Sequence, residues 1–170
     1  KKVIEAKMNK QVNDQAFVNR LSYFLWNTAP DEKLMELVYS GELNEQLDSE
    51  LDRMINDPRM KDFIKQFAKE WLRLDRLESM SVNIEKYPDL TRFIKRDMKL
   101  ETLSFLEYCL EHNLPVTAFI DSDFAMLNQN LAEFYGIEGV RGNEFRPVKL
   151  MAKYHRGGIL THGSILTGHS

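Results

Sequence analysis

Apolar positions recur at steps of three and four along most of the chain, the period of a helix that buries one face. Phe17, Leu21 and Phe24, flanked by Val18 and Leu25, predict a first helix over residues 14–27. Pro30 stops it, because its ring cannot continue the hydrogen-bond ladder. Thr28 with Asp31 offers a capping-box variant for a short second helix that Gly41 ends. A third helix is predicted over 44–55 with Leu47, Leu51, Met54 and Ile55 inward. Asp57-Pro58 is the sharpest local signal: Asp is a good N-cap, and Pro at the first helical position gives up only an N–H that had no partner. The helix it starts, predicted over 58–77, carries Met60, Phe63, Ile64, Phe67, Ala68, Trp71 and Leu74 on one stripe and its charges elsewhere. That stripe predicts the central helix of a bundle, with Phe67 and Trp71 near the middle of the core.

The period lapses over 78–88 and returns in a long helix predicted over 89–112, with Leu90, Ile94, Met98, Phe105 and Cys109 on one side. Steps of three and four along that side land on Glu101. A buried carboxylate without a partner costs several kcal/mol or takes up a proton. Arg20, which borders the apolar face between Phe17 and Phe24, is the expected partner in a partly buried ion pair. The competing reading makes Glu101 a catalytic or metal carboxylate on a bundle helix, but no Glu-x-x-His accompanies it, since Ser104 stands three residues on. Arg92, Lys95, Arg96 and Lys99 read as a solvated helix face. Asn113-Leu114-Pro115 ends the helix, and residues 116–124 read as a short helix or turn. A further helix is predicted over 124–135, ending at Gly136 with Ile137 placed for a Schellman stop. Loose alternation through Phe145, Val148 and Leu150 predicts a short strand or extended segment. The fold class expected is all-α: an irregular multi-helix bundle with one short extended segment and a Gly/His-rich C-terminal stretch. The divisions expected are a linker or shared helix over 1–13, a helical domain over 14–150, and the start of a second, truncated domain over 151–170.

That last stretch changes character. From His155 onward there are no acidic residues, four glycines appear, and His155, His162 and His169 fall at a spacing of seven. Ligands to one metal must all lie about 2 Å from the ion. A spacing of seven separates them by about 10 Å along a helix and puts them on opposite faces of a strand, so no shared metal is expected. Arg156-Gly157-Gly158 reads as a tight turn whose glycines admit another backbone, with an arginine suited to a carboxylate or phosphate but no P-loop around it. Ser164 lacks the second glycine of a nucleophile elbow. Arg156, Gly157, Gly158, His162 and Ser164 are the candidate motif.

Composition adds boundaries. The 170 residues are 43% hydrophobic and 29% charged, enough for a folded domain with a core, and the net charge of −3 gives no bulk attraction for nucleic acid. No apolar run approaches the roughly 20 residues of a membrane span. Cys109 is the single cysteine, so neither an internal disulfide nor a Cys-x-x-Cys-His haem site can form, and its apolar neighbours Phe105, Leu106 and Leu110 predict a buried, inert thiol. A start at Lys1 and a stop inside an unfinished motif read as a piece of a longer polypeptide.

Several segments together resemble a known family. They are Arg20-Leu21-Ser22-Tyr23-Phe24-Leu25-Trp26 followed by Pro30-Asp31, then Asp57-Pro58-Arg59, then Phe67-Ala68 with Trp71-Leu72. Leu127-Asn128, Leu131-Ala132, Tyr135-Gly136-Ile137 and Arg156-Gly157-Gly158-Ile159-Leu160-Thr161-His162 follow in order. The chain thus resembles the helical domain of unknown function numbered 1592, running into the start of the one numbered 1588. Both occur in large planctomycete-type proteins that often carry cytochrome-c-like domains and sometimes carbohydrate-binding ones. The resemblance implies a periplasmic or secreted, redox-associated parent, with haem c in other domains and none in this stretch. It implies other domains of the same polypeptide, and carbohydrate, as partners, and it carries over no catalytic residue. The leading expectation is a non-catalytic structural or interaction module. The alternative is part of an enzyme active site, such as that of a carbohydrate-directed oxidoreductase, completed by sequence elsewhere.

Overall fold

In a computed structural model of the chain, residues 2–83 and 85–168 are described, with side chains from Val12 onward. Among these residues are eight helices and one two-stranded sheet, a mostly helical fold as the periodicity predicts. The chain divides into two compact units, residues 1–63 and 64–170.

The first unit contains α1 (Lys2–Trp26), α2 (Glu32–Ser40) and α3 (Leu43–Ile55), which pack on one another. α1 begins well before the expected residue 14 and takes in residues expected as a linker or a shared helix. Its buried face is also displaced: Val18, Ser22, Leu25 and Trp26 are buried, whereas Phe17 and Phe24 are exposed. α2 is capped by Asp31, whose side chain accepts from the Leu34 amide at 3.2 Å, and Gly41 ends it at φ 79°. Asp57 caps the next helix as expected, accepting from the Arg59 amide at 2.9 Å.

The polar residues between these helices form a charge network around Trp26. The indole Nε1 donates to the Met54 carbonyl at 3.0 Å, and the Arg59 guanidinium lies 3.4 Å above the ring. Arg53 donates twice to Asp31, at 2.8 and 3.1 Å, and to Glu50 at 2.7 Å. Glu50 is fully buried and also pairs with Lys33. Burial works against its ionisation, but the hydrogen bonds from Lys33 and Arg53 outweigh it and hold the carboxyl below its ordinary range. Because Arg53→Ala leaves the buried Glu50 carboxylate with Lys33 alone and strips Asp31 of two hydrogen bonds, it should destabilise this unit by about 3 kcal/mol. Urea unfolding followed by Trp26 fluorescence checks it, and a loss under about 1 kcal/mol would place the pair among ordinary surface bridges.

α4 (Met60–Leu72) opens in the first unit and continues into the second. It stops five residues short of the expected end, because Arg73 adopts φ 52° and turns the chain so that Leu74 and Leu77 are buried. The expected place of Phe67 and Trp71 in the core is not found: they are 43% and 49% exposed. The buried line is Met60, Ile64 and Ala68. Phe67 and Trp71 sit three residues on from that line, about 60° round the helix. The apolar stripe is wider than the face that packs.

α5 (Arg76–Ser79) and α6 (Arg92–Glu111) follow. Thr91 caps α6 by accepting from the Ile94 amide, and Ile94, Met98, Glu101, Phe105 and Cys109 are all buried along one face as predicted. Burial pushes the Cys109 thiol up to about 11, which keeps it protonated. Residues 124–127, expected to open a helix, form β1 (Phe124–Leu127) instead. It pairs antiparallel with β2 (Arg146–Lys149), with Phe124 opposite Lys149 and Leu127 opposite Arg146. Helix begins only at α7 (Gln129–Phe134), where the Asn128 side chain accepts from the Leu131 amide at 2.8 Å. Asn128 and Asn130 also donate to the buried Asp97 of α6, at 3.0 and 2.8 Å, clamping α7 onto α6. Gly136 at φ 69° and the Ile137 amide bonded to the Ala132 carbonyl make the predicted stop. Three single-turn 3-10 segments, 116–119, 152–154 and 159–161, and α8 (Gly163–Gly168) complete the second unit.

Candidate functional site

The polar residues of the second unit converge where α6 meets the turn over 156–163. Glu101 is 1% exposed. Its Oε2 accepts from the Tyr135 hydroxyl at 2.7 Å, and that hydroxyl oxygen accepts from the Gly163 amide at 3.0 Å. Arg156 stacks its guanidinium 3.4 Å from the centre of the Tyr135 ring and donates to the Thr161 carbonyl at 2.7 Å. One turn of contacts therefore ties α6, α7 and α8 through a single tyrosine.

Arg20, the expected partner of Glu101, is exposed on α1 and belongs to the first unit. Glu101 meets its hydrogen-bond donor inside its own unit, in Tyr135. Burial pushes its carboxyl up to about 7, against the pull of the Tyr135 hydrogen bond and the Arg156 charge. The Tyr135 hydroxyl is pushed up in turn, by burial and by Glu101, so it stays a donor.

The glycines of the candidate motif have a steric explanation. A Cβ on Gly157 would stand 2.5 Å from the Ser122 carbonyl oxygen, and one on Gly158 would stand 2.4 Å from that of Ile120. Gly158 also has φ 73° and ψ 172°, a region open in practice to glycine alone. Its amide donates to the Ser122 hydroxyl at 2.9 Å. The turn admits another backbone as expected, and that backbone is the chain's own segment 119–122.

His162 and Ser164 turn inward. They are 2% and 3% exposed, and Thr102 bridges them: its Oγ1 lies 3.0 Å from His162 Nδ1 and 2.7 Å from the Ser164 hydroxyl. The His162 ring stands edge-on to Phe105, with centroids 5.0 Å apart, and its Nε2 has no hydrogen-bond partner among the described residues. Burial, and then the Arg156 charge, pull this imidazole down to about 3. It is neutral at every physiological pH, and it is walled off from solvent. His155 points the other way and is exposed, while His169 lies outside the described residues. Among those residues, no three His, Cys, Asp or Glu side chains come together as a metal site would require.

Tyr135 and Thr102 escape a reading of the sequence alone. Tyr135 sits in a recognised segment but off the α6 pattern, and Thr102 is an ordinary helix residue. The one available signal is that a buried Tyr needs a partner for its hydroxyl.

Beside this buried cluster lies a cleft of about 350 Å³. Met98, Tyr135 and Gly163 line its inner part, with Arg156, Lys86, Tyr87, Asp89, Phe134 and Leu166 among the residues around it. Glu101 and His162 do not line it; Tyr135, Arg156 and Gly163 connect cleft and cluster.

No curated protein and no solved structure matches the chain. A family pattern does match, over residues 12–137, well over half of the chain and including α6, Glu101 and Tyr135 but not the turn over 156–163. By that match the chain belongs to the family described as a protein of unknown function, DUF1592.

Proposed function

We propose that the chain is a non-catalytic structural and interaction module of a larger exported, cytochrome-linked polypeptide, docking through the aromatic shoulder of α4. One observation carries this. Trp71 is 49% exposed although its ring contacts Phe67 at 5.3 Å and Phe119 at 6.2 Å between centroids. Ile120, beside Phe119, is 68% exposed, and its carbonyl is the one that Gly158 packs against. Aromatic side chains held in contact with each other and left open to solvent are the usual anchors of protein interfaces. The Ser164 hydroxyl, the Thr161 carbonyl and the Gly163 amide of the Gly/His-rich end support the same reading, since each is taken up by an internal hydrogen bond. In this proposal the partner is another domain of the same polypeptide, residues 151–170 begin a domain of the 1588 family, and haem c and any carbohydrate belong to the other domains.

The test is a photo-crosslinking residue at position 71 of the full-length parent. A cross-link to another segment of that polypeptide is expected. Trp71→Ser should change the stability of the chain by less than about 1 kcal/mol yet weaken docking by tenfold or more. Absence of any cross-link, with docking untouched by Trp71→Ser, would overturn the module reading. A second reading, an active site completed by sequence elsewhere, is favoured by one feature: Tyr135, backed by the buried Glu101, lines a cleft.

A further inference from the structure

Arg156 is held in place more firmly than most partly exposed arginines. Its guanidinium lies flat on the Tyr135 ring at 3.4 Å, and one Nη1–H donates to the Thr161 carbonyl. No carboxylate lies within ion-pairing distance of it among the described residues, whose ion pairs involve Lys33, Arg53, Arg59, Arg96, Lys99 and Lys149 instead. An arginine that is stacked, oriented and left without an anion is pre-organised to receive one, because its side-chain entropy is already spent.

The cleft that Arg156 lines suits the rest of such a ligand. Tyr87, Leu90, Phe134 and Leu166 offer apolar and aromatic surface, and Met98 and Gly163 line the cleft beside Tyr135. Lys86 supplies a second positive charge, while Asp89 adds a negative one. The net single positive charge matches one negative charge on a ligand. The volume of about 350 Å³ falls at the small end of ligand pockets, which run from about 300 to 1,000 Å³.

We infer that this cleft binds a small organic monocarboxylate, its carboxylate on the Arg156 fork and its apolar body against Tyr87, Phe134 and Leu166. This goes beyond the docking role of α4 and stands independently of it, since it uses a different face and different residues.

Benzoate is a suitable probe, with benzyl alcohol as its neutral counterpart and inorganic phosphate as an anion without an apolar body. Titrations of the whole chain followed by amide NMR should show saturable shifts at Tyr135 and Gly163 with benzoate. Benzyl alcohol should bind at least about tenfold more weakly for want of the charge-assisted hydrogen bond, and phosphate at least about tenfold more weakly for want of an apolar body to bury. Arg156→Lys keeps the charge but loses the fork, and should weaken benzoate by about tenfold. Leu166→Trp fills the cleft from an exposed position, Leu166 being 56% exposed, and should abolish the shifts with the fold intact. If Arg156→Lys does not fold, the Leu166→Trp comparison decides alone. The inference is overturned by no saturable benzoate binding below about 10 mM, by equal affinity for benzyl alcohol or phosphate, or by benzoate binding that survives Leu166→Trp.

Discussion

Replacing Glu101 or His162 singly should expose two opposing pH dependences that hide each other in the natural chain. Glu101 has its carboxyl raised from 4.5 to about 7 on folding. Between those values the folded state keeps a proton that the unfolded chain has lost, so this group makes stability fall as pH rises. At about 1.4 kcal/mol per pH unit the contribution is about 3 kcal/mol. His162 has its imidazole lowered from 6.5 to about 3. Between those values the unfolded chain holds a proton that the folded state refuses, so this group makes stability rise with pH, by about 5 kcal/mol in all. From pH 4.5 to 6.5 the two cancel, and the second unit should show a flat profile there. Glu101→Gln leaves the histidine alone, so stability should climb by about 3 kcal/mol across those two pH units. His162→Gln leaves the carboxyl alone, and the slope should reverse. Below about pH 4 the buried Asp97 complicates both profiles. Burial opposes its ionisation, but Asn130, Asn128 and Arg96 hold its carboxyl low, so its contribution is lost only in acid. Urea unfolding at several pH values measures all three proteins, and flat profiles in both variants would show that neither group is desolvated as its burial requires.

Gly158→Ala should be the most damaging single methyl in the second unit. The backbone there, φ 73° and ψ 172°, costs any other residue about 1–3 kcal/mol. The new Cβ would also stand 2.4 Å from the Ile120 carbonyl oxygen and 2.7 Å from that of Phe119. Neither is a flexible side-chain tip, so the 119–122 segment must shift, adding about 1–3 kcal/mol of overpacking. A total of about 4 kcal/mol is expected. Gly168→Ala is the control, since a Cβ there meets nothing within 4 Å among the described residues, and it should be neutral within about 0.5 kcal/mol. Thermal unfolding of the two variants side by side tests the idea, and equal melting points would mean that the turn over 156–163 does not depend on its glycine. Because Phe119 also lies against the exposed Trp71, Gly158→Ala should disturb the proposed docking surface at the same time.

Local chemistry in the sequence by itself determined the starts and stops of most elements. The Asp57 cap, the Gly41 and Gly136 stops and the end of α6 near Asn113 each involve groups a few residues apart, so no distant contact can overrule them cheaply. The buried face of α6 was equally legible, Glu101 included, because one face of a long helix is read directly from its period. Three matters were decided only by the tertiary structure. Residues 124–127 became a strand because they pair with 146–149, across eighteen intervening residues, and an apolar run that short has no strong period of its own. Which half of the wide apolar stripe on α4 is covered depended on what packs there, so Met60, Ile64 and Ala68 are buried while Phe67 and Trp71 are not. The donor that answers Glu101 inside its unit is Tyr135, because a buried carboxylate is answered by whichever donor the packing brings nearest. Tyr135 reaches it from α7, held in register by Asn128 and Asn130 on Asp97, and by the Gly163 amide from the far end of the chain. Period and capping act over a few residues, whereas the choice among partners is made by packing across the whole unit.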